Sequence, residues 1–105
     1  MNIVEKISEI ALQVITYAGL AKSKYIESLT KYRENDFDGV ELLISEGDRN
    51  YNVAHRAHLC LLQDEMSLKE PQITMLLAHA EDQLMAADTI KTLIVEIMKL
   101  MEMRK

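Results

Sequence analysis

The sequence predicts an all-α fold, an up-down-up antiparallel three-helix bundle that occupies residues 1–105 as a single domain. Three observations carry that expectation. Apolar residues recur at steps of three and four over three long stretches, the period of a helix face. Turn formers are scarce, with 3 Gly and 1 Pro in 105 residues. The apolar side chains are mainly Leu, Ile, Val, Met and Ala, and only 5% of residues are aromatic, a palette that favours helices over strands.

The first stripe runs Ile3, Ile7, Ile10, Val14, Ala18, Ala21, Tyr25, Leu29 and Tyr32. It is continuous over about four heptads, so it reads as one long helix. Ala11, Ile15 and Ile26 widen the apolar surface and point to more than one neighbour. The segment Arg33-Glu34-Asn35-Asp36 breaks the pattern, and either Asn35 or Asp36 can cap the second helix. Phe37, Val40, Leu43, Ile44, Gly47, Tyr51, Ala54, His58 and Leu62 form the second stripe. A second joint is predicted at Ser67–Pro71, where Ser67 and Glu70 have capping-box spacing and Pro71 suits a first turn. The third stripe takes Ile73, Leu76 or Leu77, Ala80, Leu84, Ala87, Ile90, Ile94, Ile97 and Met101. Short joints between long helices make consecutive helices antiparallel neighbours.

Composition narrows the function. A net charge of −5, with 12 basic residues scattered among 17 acidic ones, argues against a nucleic-acid backbone as partner. The single cysteine, Cys60, cannot form an internal disulfide and is expected to be a small core residue. The seven methionines are expected to fill gaps in the core. The longest uncharged run, residues 10–21, falls short of the ~20 residues that span a bilayer. No secretory h-region opens the chain. A cytoplasmic protein without membrane insertion is expected. An apolar fraction of 49% on so short a chain further points to surface covered by another subunit.

One row on the third helix stands apart from its core stripe. His79, Asp82, Gln83 and Ala86 are spaced i, i+3, i+4 and i+7, neighbours on one face. An imidazole with its ordinary pKa of ~6.5 is largely neutral and nucleophilic near pH 7. Asp82, one turn on, is placed to orient the ring or hold a cation. Spacing alone fits a solvated His–Asp pair as well, and that is the more frequent meaning of such a pair. His55 and His58 form another i, i+3 pair, but no third or fourth ligand completes a zinc site, and partly buried polar groups at a helix interface explain them better. A glycine-rich phosphate loop, a Gly-x-Ser-x-Gly elbow, His-Glu-x-x-His and paired Glu-x-x-His motifs are all absent.

Four ordered segments resemble one known family. Leu77-Ala78-His79-Ala80-Glu81-Asp82-Gln83-Leu84-Met85 is similar to the V-H-A-Q-D-H-L-M signature of the lactose/cellobiose-type enzyme IIA subunits of sugar phosphotransferase systems. Ala18-Gly19-Leu20-Ala21-Lys22-Ser23, then Glu27, Ser28 and Leu29, resembles A-G-x-A-R-S with its E-A-L continuation. Asn35-Asp36-Phe37 resembles the G-D-F joint, and Ala54-His55-Arg56-Ala57-His58 with Leu61, Leu62, Gln63 and Glu65 resembles A-H-x-x-Q followed by L-L-Q-x-E.

The resemblance implies a homotrimer of three-helix chains. It implies that His79 is the catalytic residue, accepting a phosphoryl group from phospho-HPr and passing it to a cysteine of enzyme IIB. It also implies that Asp82 from three subunits holds one divalent ion, Mg2+, on the trimer axis. The apolar neighbours Met75, Leu76 and Ala80 are expected to offer partners a flat docking surface. Departures are equally specific: Gln83 replaces the signature's second histidine, His58 stands where the family has Gln, and residues 64–72 lack the usual glycine. Two other readings remain. One is a histidine-phosphotransfer signalling domain, whose usual H-x-x-K-G is not matched by His79-Ala80-Glu81-Asp82-Gln83. The other is a diverged structural or regulatory trimeric bundle in which His79 and Asp82 are interface polar groups.

Overall fold

The computed structural model describes residues 2–66 and 74–104. It contains α1 (Ile3–Arg33), α2 (Phe37–Met66) and α3 (Met75–Met103), and no strand occurs among the described residues. α1 packs against both other helices, whereas α2 and α3 meet only slightly. Cross-helix pairs give the order along each helix. Lys6 reaches Asp64 at 3.4 Å, Lys24 reaches Glu46 at 3.1 Å, and the Tyr25 hydroxyl donates to Asp48 at 2.7 Å. Positions therefore run in opposite order along α1 and α2.

The two ends of the first joint reflect residue chemistry. Asn35 has φ of 62°, the left-handed region that Asn tolerates better than other side chains with a Cβ. Its N–H donates to the Tyr32 carbonyl and the Asp36 N–H to the Lys31 carbonyl, so the last carbonyls of α1 are satisfied in a Schellman arrangement. The Asp36 carboxylate then accepts from the Gly39 N–H at 2.9 Å, capping α2. Asn35 thus ends one helix and Asp36 starts the next. The predicted cap at Ser67, Glu70 and Pro71 lies outside the described residues. α3 as described begins with Thr74, whose hydroxyl accepts from the Leu77 N–H at 3.1 Å.

Buried residues from all three helices form one cluster, with Ile7, Val14 and Tyr25 from α1, Ala54 and Leu61 from α2, and Leu77, Leu84 and Ile94 from α3. Ala11, Ala18, Ala21, Ala80 and Ala87 are fully buried; small side chains let helices approach closely. The periodic stripes locate this core, but their ends do not hold. Ile3, Phe37, Leu62 and Ile97 are exposed, because a straight stripe drifts off the contact line of a packed neighbour. Of two composition-based expectations, that for Cys60 fails and that for the methionines holds only in part, with Met98 packed against the core. Cys60 is exposed, since it lies one residue before the buried Leu61 and so about 100° away around the helix. Met66, Met75, Met85 and Met103 are also exposed, Met75 to 90%.

One polar cluster ties the three helices together behind the core. The fully buried Tyr25 sends its hydroxyl to Asp48, which also receives Lys91 Nζ at 2.6 Å, and that ammonium stands 5.8 Å from the Tyr25 ring centroid. Burial, then the hydrogen bond to Asp48, pushes the Tyr25 phenol well above its ordinary value. Burial likewise raises Tyr51, and the bond to Glu102 raises Tyr32. A raised folded-state pKa means that the fold binds the proton more tightly than the unfolded chain does. The associated stability is therefore complete below the unfolded tyrosine value of ~10 and is lost as pH rises beyond it. Thermal melts should fall steeply above about pH 10, and Tyr25→Phe should flatten that fall. A wild-type melting curve unchanged from pH 8 to 11 would contradict the assignment.

Candidate functional site

The Thr74 cap places His79 just past the first turn of α3, where the chain emerges onto the surface. Its neighbours on either side alternate between core and solvent as a helix requires. Leu77 and Ala80 are buried, whereas Ala78 and His79 are exposed. Asp82 is exposed, Gln83 and Ala86 are half-buried, and the row they share with His79 lies along the surface of α3. The predicted row therefore exists as a surface feature with one edge against α1. His79 has no hydrogen bond to its ring from any described residue, so a ring nitrogen is open to solvent or to a partner. Ala80 is fully buried and cannot serve the docking surface expected of it, because it faces the core while His79 faces out. Of the expected flanks, Met75 is the exposed one.

Two contacts hold the segment around His79, and periodicity revealed neither. Lys22 Nζ on α1 donates to Gln83 Oε1 at 2.7 Å. His58 Nε2 on α2 pairs with Glu81 Oε1 at 2.5 Å. Each joins the residues around His79 to a different helix. Both partners of the first pair lie inside segments of the signature, so the sequence did carry a signal that they belong to one site. His58 contacts Glu81, while His55 stacks at 6.1 Å on Tyr51 and is exposed; the two histidines engage different partners and do not form a common site.

No three His, Cys, Asp or Glu side chains gather within one chain among the described residues. Two surface clefts, of about 450 Å³ by Leu100, Met103 and Arg104 and about 370 Å³ beside Asp88, Lys91 and Thr92, are not lined by His79. No described helix is long and apolar enough to cross a membrane. These features describe a helical protein that presents an imidazole on its surface, where a second macromolecule can reach it.

The chain belongs to the lactose/cellobiose-specific IIA subunit family of the phosphotransferase system (PTS), whose description matches residues 9–102. It is similar to the oligo-beta-mannoside-specific EIIA component of Bacillus subtilis (strain 168), 34% identical over 92 residues that cover 88% of this chain and 84% of that protein. It is 30% identical to the lactose-specific EIIA component of Staphylococcus aureus (strain N315), covering 90% of this chain and 92% of the relative. The lichenan-specific enzyme IIA component of B. subtilis (strain 168) is 28% identical, with 93% and 89% covered.

Proposed function

We propose that this chain is the cytoplasmic phosphocarrier of a sugar phosphotransferase system, taking a phosphoryl group from phospho-HPr on His79 and giving it to a cysteine of enzyme IIB. The observation that carries this reading is the position of His79: exposed on α3, with an unengaged ring, within the segment that matches the family signature. The ring nitrogen lone pair attacks phosphorus in line as the P–N bond of the donor phosphohistidine breaks, and that electron pair returns to the donor ring. Such a transfer needs positioning and charge compensation more than covalent machinery. The phosphoramidate formed is reactive enough for onward donation to a thiolate. Relatives named for lactose, oligo-β-mannosides and lichenan support a β-linked oligosaccharide as the transported sugar.

The working form in this reading is a homotrimer of up-down-up bundles. The opposite order of cross-helix pairs along α1 and α2 supports the bundle. Apolar surface left open within one chain supports assembly, notably Leu93, Ile97 and Leu100 on α3, which continue along that helix from Asp82 at helical steps. One carboxylate per chain is an incomplete cation site. Three copies of Asp82 on an axis would supply the oxygen ligands that Mg2+ prefers, and the ion would neutralise carboxylates that otherwise repel.

Onward transfer tests the phosphocarrier role. Phosphorylated protein mixed with a lactose-type IIB should lose its label to the IIB cysteine within minutes, and a IIB lacking that cysteine should take none. Retention of the label in the presence of intact IIB from the same operon would count against the reading. For the cation, native mass spectra of the wild-type assembly should show one divalent ion per trimer, removable by a chelator. Asp82→Asn should carry none. A wild-type trimer that holds no divalent metal when purified without chelator would refute the site.

A further inference from the structure

We propose that Lys22 is a positioning residue for phosphoryl transfer: it fixes the Gln83 amide so that its N–H donors face the phosphoryl group carried by His79. The inference rests on the phosphocarrier reading and adds to it a residue on a different helix. A lysine ammonium has three donors and no acceptor, so the amide atom 2.7 Å from Lys22 Nζ must be the oxygen. That contact settles the flip of the amide and turns Nε2, with both its N–H groups, to the other side. Among the described residues no acceptor engages that nitrogen.

Gln83 lies four residues beyond His79, so the two side chains are neighbours on one helical face. A phosphoryl group on His79 brings anionic oxygens to this face, and they call for hydrogen-bond donors. The oriented amide supplies neutral donors at that point, and Lys22 adds positive charge one group further back. Oriented donors of this kind stabilise developing charge without reorganising. Gly19, one turn before Lys22 on α1, has no heavy atom of a described residue within 4 Å of where a Cβ would stand, so there is open space on α1 one turn from Lys22.

Neither residue takes a covalent part. The P–N bond of the donor breaks as the P–N bond to His79 forms, and Lys22 and Gln83 keep their protons throughout. The pair should act as one unit, because the amide loses its orientation when either partner is removed.

The test measures phosphoryl transfer from phospho-HPr to the full-length protein for wild type, Lys22→Met, Lys22→Arg, Gln83→Ala and the Lys22→Met/Gln83→Ala double variant. Met keeps the apolar stem of the half-buried Lys22, and circular dichroism checks the fold of each variant. Lys22→Met should lower the maximal rate about tenfold and leave the KM for phospho-HPr unchanged. Lys22→Arg should restore most of the rate, and the double variant should be no slower than Gln83→Ala alone. A normal rate for Lys22→Met, a change confined to KM, or multiplicative losses in the double variant would overturn the assignment. In those cases the labelled wild type leaves the phosphocarrier reading standing. A wild type that takes no label would overturn both.

Discussion

His79→Ala is expected to abolish phosphoryl acceptance while leaving the fold intact. Two independent facts about one position meet here. His79 is exposed on α3 and makes no ring hydrogen bond within the described residues, so its side chain contributes little to stability. Surface substitutions away from caps and cores usually stay within about 0.5 kcal/mol, and alanine is the better helix former. The melting temperature should remain within roughly 4 °C of wild type at equal concentration. The transfer rate, in contrast, should fall at least about a thousandfold, because no other nucleophile stands in that place. Asp82 is given to the cation in the same reading, and Gln83 has no basic nitrogen. The stopped-flow rate and the melt, measured on the same sample, separate a lost nucleophile from a lost fold.

Gly47→Ala is expected to destabilise the fold more than the same change at Gly19 or Gly39. A Cβ at Gly47 would stand 2.5 Å from Tyr25 Cε1 and 2.8 Å from Cδ1. The Tyr25 ring cannot retreat, because it is fully buried and its hydroxyl is held by Asp48. Overpacking of this kind costs about 1–3 kcal/mol, and the gain of up to ~1 kcal/mol from replacing a mid-helix glycine offsets only part of it. A net loss of about 1 kcal/mol corresponds to a fall of roughly 6 °C in Tm. An unchanged or raised Tm would mean that α1 and α2 are not held at the separation described. Gly47→Ala combined with Tyr25→Phe should not recover stability, since the clash is with the ring edge and not with the hydroxyl.

The contrast between Gly47 and His79 also shows which features were legible in the sequence. The period of Val14, Ala18, Ala21 and Tyr25 located the buried face of α1 directly, because a helix that packs along its length must repeat its apolar residues. The same rule placed Leu84, Ala87 and Ile94. The expectation from residue type failed for Cys60 and for Met66, Met75, Met85 and Met103, since residue type states only how often such side chains are buried, not which way the helix turns them. The row of His79, Asp82 and Gln83 was legible as spacing, and the matching segments gave it meaning. The matching segments marked Lys22 and Gln83 as belonging to one site, but the contact between them, like that of His58 with Glu81, was not legible, because it depends on the relative rotation and offset of two helices, which no local pattern encodes. Gly47 was read as part of an apolar stripe; that it makes room for Tyr25 emerges only once α1 and α2 are set side by side.

Of the three histidines in the chain, His79 alone carries the phosphoryl group in the proposed function. The most direct measurement is to phosphorylate the wild-type protein with phosphoenolpyruvate, enzyme I and HPr. It is then digested at neutral pH, and the label is localised by fragment ions. Stoichiometric, acid-labile label is expected on the peptide that contains His79, and none on the peptide that contains His55 and His58. Label on His55 or His58, with His79 unmodified, would contradict the proposed function.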